Sequence, residues 1–177
     1  MTIDELTQCV DTYGNDIYSF CRYLTKNTAE GEELYQETFL KAVELVGKMD
    51  MQNNPKSYLI SISIRLWRNQ ARKRRQRLYA EPESAELLYE NGQELADTAQ
   101  HSPEERCLDQ ELHTLVARLV QSLPDHYRIP VCMYYSAELS IREISQILRL
   151  PEGTVKRRLH HARTLLKKEL EDAGYEG

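Results

Sequence analysis

"SIREISQILRLPEGTVKRRLHHAR", residues 140–163, contains two helical periodicities separated by a proline. Ile141, Ile144, Ile147 and Leu148 form one apolar stripe, and Arg149, Leu150 and Pro151 supply a turn. Val155, Leu159, Ala162 and Leu166 then follow at intervals of four, three and four, a single seam on a second helix. Ser140 and Glu143 have capping-box spacing, and Leu139 and Ile144 are placed as a hydrophobic staple across the first helix start. A step of about 100° per residue puts Arg157, His160, His161, Thr164 and Lys168 opposite the seam of the second helix, flanked by Lys156 and Lys167. A recognition helix offers such a basic face to the major groove. A solvated face on a bundle helix is the alternative reading, and the two histidines diverge too far to suggest a metal site.

The same logic extends upstream. Pro124 separates a helix ending near Gln121 from the next, and Pro130 lies inside that next helix, where it removes one backbone hydrogen bond and predicts a kink or short irregular turn. Ser102, Pro103 and Glu105 mark another helix start, and Asn54 before Pro55 marks a third. From Tyr58 to Arg77, Ser61, Arg65, Arg68, Arg72 and Arg75 share one side of a helix. Leu59, Ile62 and Leu66 line a second side, and Ile60, Ile64, Trp67 and Ala71 a third, so the helix is wedged between neighbours with an arginine stripe left for a polyanion. A generic basic tail is the alternative. Farther upstream, Glu33, Glu37 and Glu44 share a face with Gln36, Leu40 and Lys41 beside it, while Tyr35, Phe39, Ala42, Val43 and Val46 are assigned to the buried side. An acidic face repels DNA, so it is solvated or meets a basic protein partner.

Charge is segregated along the chain. The total is −5, yet Arg65, Arg68, Arg72, Lys73, Arg74, Arg75 and Arg77 form one basic block and residues 156–168 another. Between them run Glu81, Glu83, Glu86, Glu90, Glu94, Asp97, Glu104 and Glu105. That distribution predicts two surfaces for polyanions and one segment repelled by them. Cys9, Cys21, Cys107 and Cys132 are scattered without metal-ligand spacing, so reduced thiols are expected rather than disulfides or zinc. No secretory leader pattern or membrane-spanning run is present, which predicts a cytoplasmic protein with no membrane insertion. Glycine-rich phosphate loops and metalloprotease motifs are also absent, so neither enzymatic activity nor a cofactor is expected.

The expected fold is all-α: two small helical domains, residues 1–77 and 103–177, joined by an acidic flexible linker over 78–102, with the C-terminal domain a helix-turn-helix.

Together, "EELYQETFLKAV", "NPKSYLISISIRLWRNQARKRR", the acidic linker and "LPDHYRIPVCMYYSAELSIREISQILRLPEGTVKRRLHHAR" resemble a bacterial RNA polymerase sigma factor of the extracytoplasmic-function (ECF) class over most of the chain. The resemblance implies that residues 1–77 are sigma domain 2, binding core RNA polymerase through Glu33, Gln36, Glu37 and Leu40 and melting the minus-ten promoter element. The loop containing Met49, Asp50, Met51, Asn53 and Asn54 would cradle a flipped non-template base, and Arg65, Arg68, Arg72 and Arg75 would hold adjacent backbone. Residues 103–177 would be sigma domain 4, reading the minus-thirty-five element through Lys156, Arg157, Arg158 and His160. It also implies an anti-sigma factor that covers these surfaces, and the acidic linker is a candidate to thread the polymerase's RNA channel. Three departures stand out. Arg149 occupies a turn position where the family often has glycine, a strain of about 1 kcal/mol if the residue is left-handed. Tyr58, Arg65 and Asn69 replace the frequent tryptophan, asparagine and aspartate, and Pro130 interrupts a helix usually built from aliphatics. A conventional helix-turn-helix repressor or activator is the rival function; it needs neither the acidic face nor the second basic helix.

Overall fold

Thr2, Asn27 and Asn54 each begin a helix in the N-terminal part of the chain, of which the start at Asn54 was expected from the sequence. The computed structural model describes residues 2–25, 27–48, 54–80 and 103–175. Two compact units result, Met1–Gln93 and Glu94–Gly177.

In the first unit, α1 spans Ile3–Leu24, α2 Thr28–Glu44 and α3 Pro55–Ala80, with a short 3-10 turn at Val46–Lys48. Thr2 and Glu5 form a reciprocal capping box on α1, and the Asn27 carboxamide oxygen accepts from Glu30 N at 2.8 Å on α2. Asn54 caps α3 as expected, its Oδ1 accepting from Ser57 N at 3.3 Å. Helix α3 runs past residue 77, the expected domain boundary, as far as Ala80; residues 81–102, which hold most of the expected linker and Ser102, lie outside the described residues.

The core of this bundle contains Ile17, Phe20 and Leu24 from α1, Leu34 from α2, and Leu59 and Ile60 from α3, all fully buried. Cys21, Thr38 and Ser63 place one polar group from each helix in the same interior; the Thr38 and Ser63 hydroxyls are 3.0 Å apart. Burial pushes the Cys21 thiol up to about 12. Gly31 allows the α1–α2 corner to close, since a Cβ there would sit 3.0 Å from Thr25 Oγ1 and 3.1 Å from Arg22 Cα.

Val43 corrects the reading of α2. It is 52% exposed, because the buried seam consists of Gly31, Leu34, Thr38 and Ala42, while Tyr35, Phe39 and Val46 are half-buried. Two small residues and a threonine bring the helices together, leaving the valine outside the contact.

In the second unit, α4 spans Pro103–Ser122, α5 Asp125–Val131, α6 Ile141–Leu148 and α7 Glu152–Asp172. The irregularity predicted from Pro130 follows two residues after it: the chain widens into a π turn at Cys132–Ser136, where Ala137 N donates to Cys132 O at 3.1 Å. Pro130 itself is fully buried. Arg128 fastens the α4–α5 corner from inside, donating to Gln121 O at 3.1 Å and to Asp125 Oδ1 at 2.7 Å.

Candidate nucleic-acid interface

Val155, Leu159 and Ala162 of α7 are buried, and Leu166 is half-buried, so the seam meets the core as its spacing requires. Lys156, Arg157, His160, His161, Thr164, Lys167 and Lys168 are exposed on the other side, whereas Arg158 is half-buried at its margin. His161 stacks on Tyr127 of α5, with ring centroids 6.3 Å apart.

The turn that aims α7 is specified by local hydrogen bonds. Ser140 and Glu143 complete the expected capping box, and Leu139 and Ile144 are buried as the staple requires. At the other end of α6, Arg149 is left-handed, with φ 55° and ψ 47°. Arg149 N donates to Gln146 O and Leu150 N to Ser145 O, the paired bonds of a Schellman stop. Ser145 Oγ closes the turn by donating to Leu150 O at 2.5 Å.

On α3, Arg65, Arg68, Arg72 and Arg75 are all exposed, and Leu59, Ile60, Ile62, Ile64 and Trp67 are buried. The stripe is therefore available to a polyanion along one side of the helix. Asn54 is exposed at the start of α3 with φ 35°; Met49, Asp50, Met51 and Asn53 lie outside the described residues.

Glu33, Gln36 and Leu40 share the exposed face of α2, with Leu40 66% exposed and Val43 continuing the same face. Glu37 leans toward α3, where its Oε2 accepts from Gln70 Nε2 at 2.9 Å. Two helical turns earlier on α2, Glu30 Oε1 pairs with Arg74 Nη1 at 2.7 Å. Sequence reading grouped Arg74 with the basic block and missed this contact. The signal was its spacing: Ser63, Trp67, Gln70 and Arg74 continue one inward seam at steps of four, three and four. A second pair that the sequence did not reveal joins Lys56 Nζ to Asp16 Oδ2 at 2.5 Å.

Family models corroborate the pairing of these two units. The model described as Sigma-70 region 2 matches residues 9–77, and the one described as Sigma-70, region 4 matches residues 113–166. The ECF RNA polymerase sigma factor SigW of Bacillus subtilis is 33% identical over 171 residues, covering 96% of this chain and 90% of SigW. The chain belongs to the ECF sigma factor family.

SigM of the same organism, another ECF sigma factor, is 30% identical over 167 residues, covering 94% of each chain. The fold is also that of the sigma factor RpoE, solved with the anti-sigma factor NepR from Bartonella quintana: the TM-score is 0.80 at 18% identity, over 96% of this chain and 98% of RpoE. As an ECF sigma factor, the protein binds core RNA polymerase and directs promoter-specific transcription initiation. A conventional repressor would leave the region 2 match over residues 9–77 unexplained.

Proposed function

We propose that the two units divide promoter recognition between them, the first capturing the melted minus-ten element and the second reading the minus-thirty-five duplex. The observation that supports this division is one exposed basic stripe on each unit, opposite a buried seam. On α7, Lys156, Arg157, Arg158 and His160 serve the major groove, where arginine and lysine discriminate guanine edges. On α3, Arg65, Arg68, Arg72 and Arg75 hold backbone phosphates beside the loop of Met49, Asp50, Met51, Asn53 and Asn54, which takes up an unstacked base. Unstacking costs a few kcal/mol, and capture of the freed base together with phosphate neutralisation offsets it.

Core RNA polymerase docks on the α2 face of Glu33, Gln36, Glu37 and Leu40, and exposed Val43 extends that face. Carboxylates around exposed apolar residues fit a basic, amphipathic surface of the polymerase. Residues 1–77 thus act as sigma domain 2 and 103–177 as sigma domain 4. The acidic segment after α3, residues 81–102, avoids the duplex and threads the polymerase's RNA channel. An anti-sigma factor holds the protein inactive by covering these same faces, a role supported by the NepR complex of the related fold. The role is non-catalytic and cytoplasmic; no described helix is long and apolar enough to cross a membrane.

Run-off transcription from a panel of the source organism's promoters, with core polymerase and with or without the chain, tests the reading. Specific initiation only in the presence of the chain is expected. DNA binding by the chain alone, with no initiation when core is added, would overturn it.

A further inference from the structure

We infer that Asp16 and Lys56 are positioning residues for strand capture: their ion pair pins the first turn of α3 to α1 and so fixes the backbone at Asn54. This rests on the proposed role of Asn54 in holding a melted base. Lys56 is the second residue of α3, and its Nζ lies 2.5 Å from Asp16 Oδ2 on α1. The placement is unusual in two respects. The first turn of a helix favours anions, because unsatisfied N–H groups make that end positive, so a lysine there works against the helix dipole. The side chain is also held inside, with the residue only 9% exposed, where lysines ordinarily extend their ammonium groups to water.

Stability alone gives little reason for such a pair. Asp16 keeps 39% of its side chain exposed and Lys56 only 11%, so desolvation of the ammonium offsets much of their attraction; replacing both partners of such a pair by apolar residues is often neutral, whereas removing one leaves the other charge unpaired. The pair does supply direction, because it joins a fixed point on α1 to the turn that follows Asn54. Two further bonds carry that constraint one step upstream: Ser57 N donates to Asn54 Oδ1 at 3.3 Å, and Tyr58 N donates to Asn54 O at 3.2 Å. Asn54 is held in the left-handed region at φ 35°, which asparagine tolerates better than most residues. A shift of the first turn of α3 therefore moves Asn54 with it. It also moves the start of the arginine stripe at Arg65, nine residues along the same helix at about 1.5 Å per residue.

The test uses holoenzyme assembled from core polymerase and full-length chain. Its probe is a fluorescent single-stranded oligonucleotide with the non-template minus-ten sequence of a promoter that the wild-type holoenzyme transcribes. Lys56→Met, which leaves the half-exposed Asp16 hydrated, and the double variant Lys56→Met with Asp16→Leu are expected to weaken oligonucleotide binding about tenfold, the scale of one misaligned base contact. Core affinity, binding to a duplex upstream-element fragment and the melting temperature should remain near wild type, and Lys56→Arg should recover most of the loss. Unchanged oligonucleotide affinity in both variants overturns the inference. So does a loss matched by core affinity and melting temperature, which would make the pair a general strut. Asn54→Ala is measured in parallel: if it leaves the oligonucleotide affinity unchanged, the role assigned to Asn54 is the part that fails, and the positioning role falls with it.

Discussion

Replacing Arg149 by glycine should stabilise the second unit. The residue ends α6 at φ 55° and ψ 47°, a conformation in which an L side chain crowds the following carbonyl. That crowding costs roughly 1–2 kcal/mol, and glycine removes it. Glycine also gives the unfolded chain more freedom, which takes back roughly 0.5–1 kcal/mol. The net gain is about 0.5–1 kcal/mol, a rise of roughly 3–6 °C in melting temperature for a unit of this size. The Schellman bonds to Gln146 O and Ser145 O use backbone N–H groups, so they survive the exchange. Full-length protein can be melted while far-UV circular dichroism and tryptophan fluorescence are recorded together. Trp67 is the chain's single tryptophan and is buried in the first unit, so its signal reports the unit that should not change. A rise in the dichroism transition with the Trp67 midpoint unmoved is expected. An unchanged or lower midpoint would refute the reasoning, because the Arg149 side chain would then stabilise the turn by as much as its backbone strains it. Arg149→Asn should give part of the same gain, since asparagine visits this conformation more readily than arginine.

Arg157→Ala should lower discrimination at the upstream element by roughly 1–3 kcal/mol if its guanidinium reads a base edge, measured as holoenzyme affinity across single-base promoter variants. An equal loss on every sequence would instead mark a phosphate contact. Glutamine at Arg65, Arg68, Arg72 or Arg75 should each reduce the magnitude of the slope of log affinity against log salt by about 0.7–0.9 in holoenzyme titrations with minus-ten DNA; a slope that stays constant would remove that arginine from the phosphate contacts. Stability should fall in alkali. Burial pushes the thiols of Cys21 and Cys132 up to about 12 from the ordinary value of 9.0, so both folded-state thiols stay protonated while those of the unfolded chain ionise. Their stabilisation is fully present below about pH 9 and is lost as pH rises from about 9 toward 12. Urea unfolding of wild type and Cys132→Ala at about pH 8 and 10.5 should show a smaller loss in the variant, by on the order of 1–2 kcal/mol; parallel losses would contradict the buried-thiol account.

The features legible in the sequence were those settled within a few residues. Asn54 before Pro55, Ser140 with Glu143, and Leu139 with Ile144 each act across one helical turn, and all three take the expected positions. The strain at Arg149 was legible only through the family resemblance, as a turn position where glycine is frequent, and the left-handed backbone there meets the condition on which that strain was expected. Val43 was not legible. Its hydrophobicity marks a face of α2, but which part of that face is covered depends on how closely α1 and α3 approach. The approach is decided by Gly31, Thr38 and Ala42, residues that a search for large apolar side chains passes over. Pro130 announced an irregular helix without specifying its form, since the π turn after it depends on where Ala137 and Leu139 find carbonyl partners.

The fold also explains how a chain of net charge −5 carries two faces suited to DNA. A run of basic residues on a helix cannot all point one way. Steps of about 100° put Arg74 roughly opposite Arg65, so it faces α2 while Arg65, Arg68, Arg72 and Arg75 remain outside. Arg74 meets Glu30, and Gln70 meets Glu37 one turn before it, while Glu33 and Glu44 remain outward carboxylates of that face. The acidic and basic halves of the first unit thus share a boundary along the α2–α3 seam, where Arg74 and Glu30 join, each about a third exposed. A polymerase surface and a DNA strand can then occupy neighbouring faces of the same bundle, each meeting the charge it attracts. Reversing the pair as Glu30→Arg with Arg74→Glu should preserve this division, because the charges that face outward are unchanged. Glu30→Arg alone would set two arginines against each other at the seam and lower the stability of the first unit.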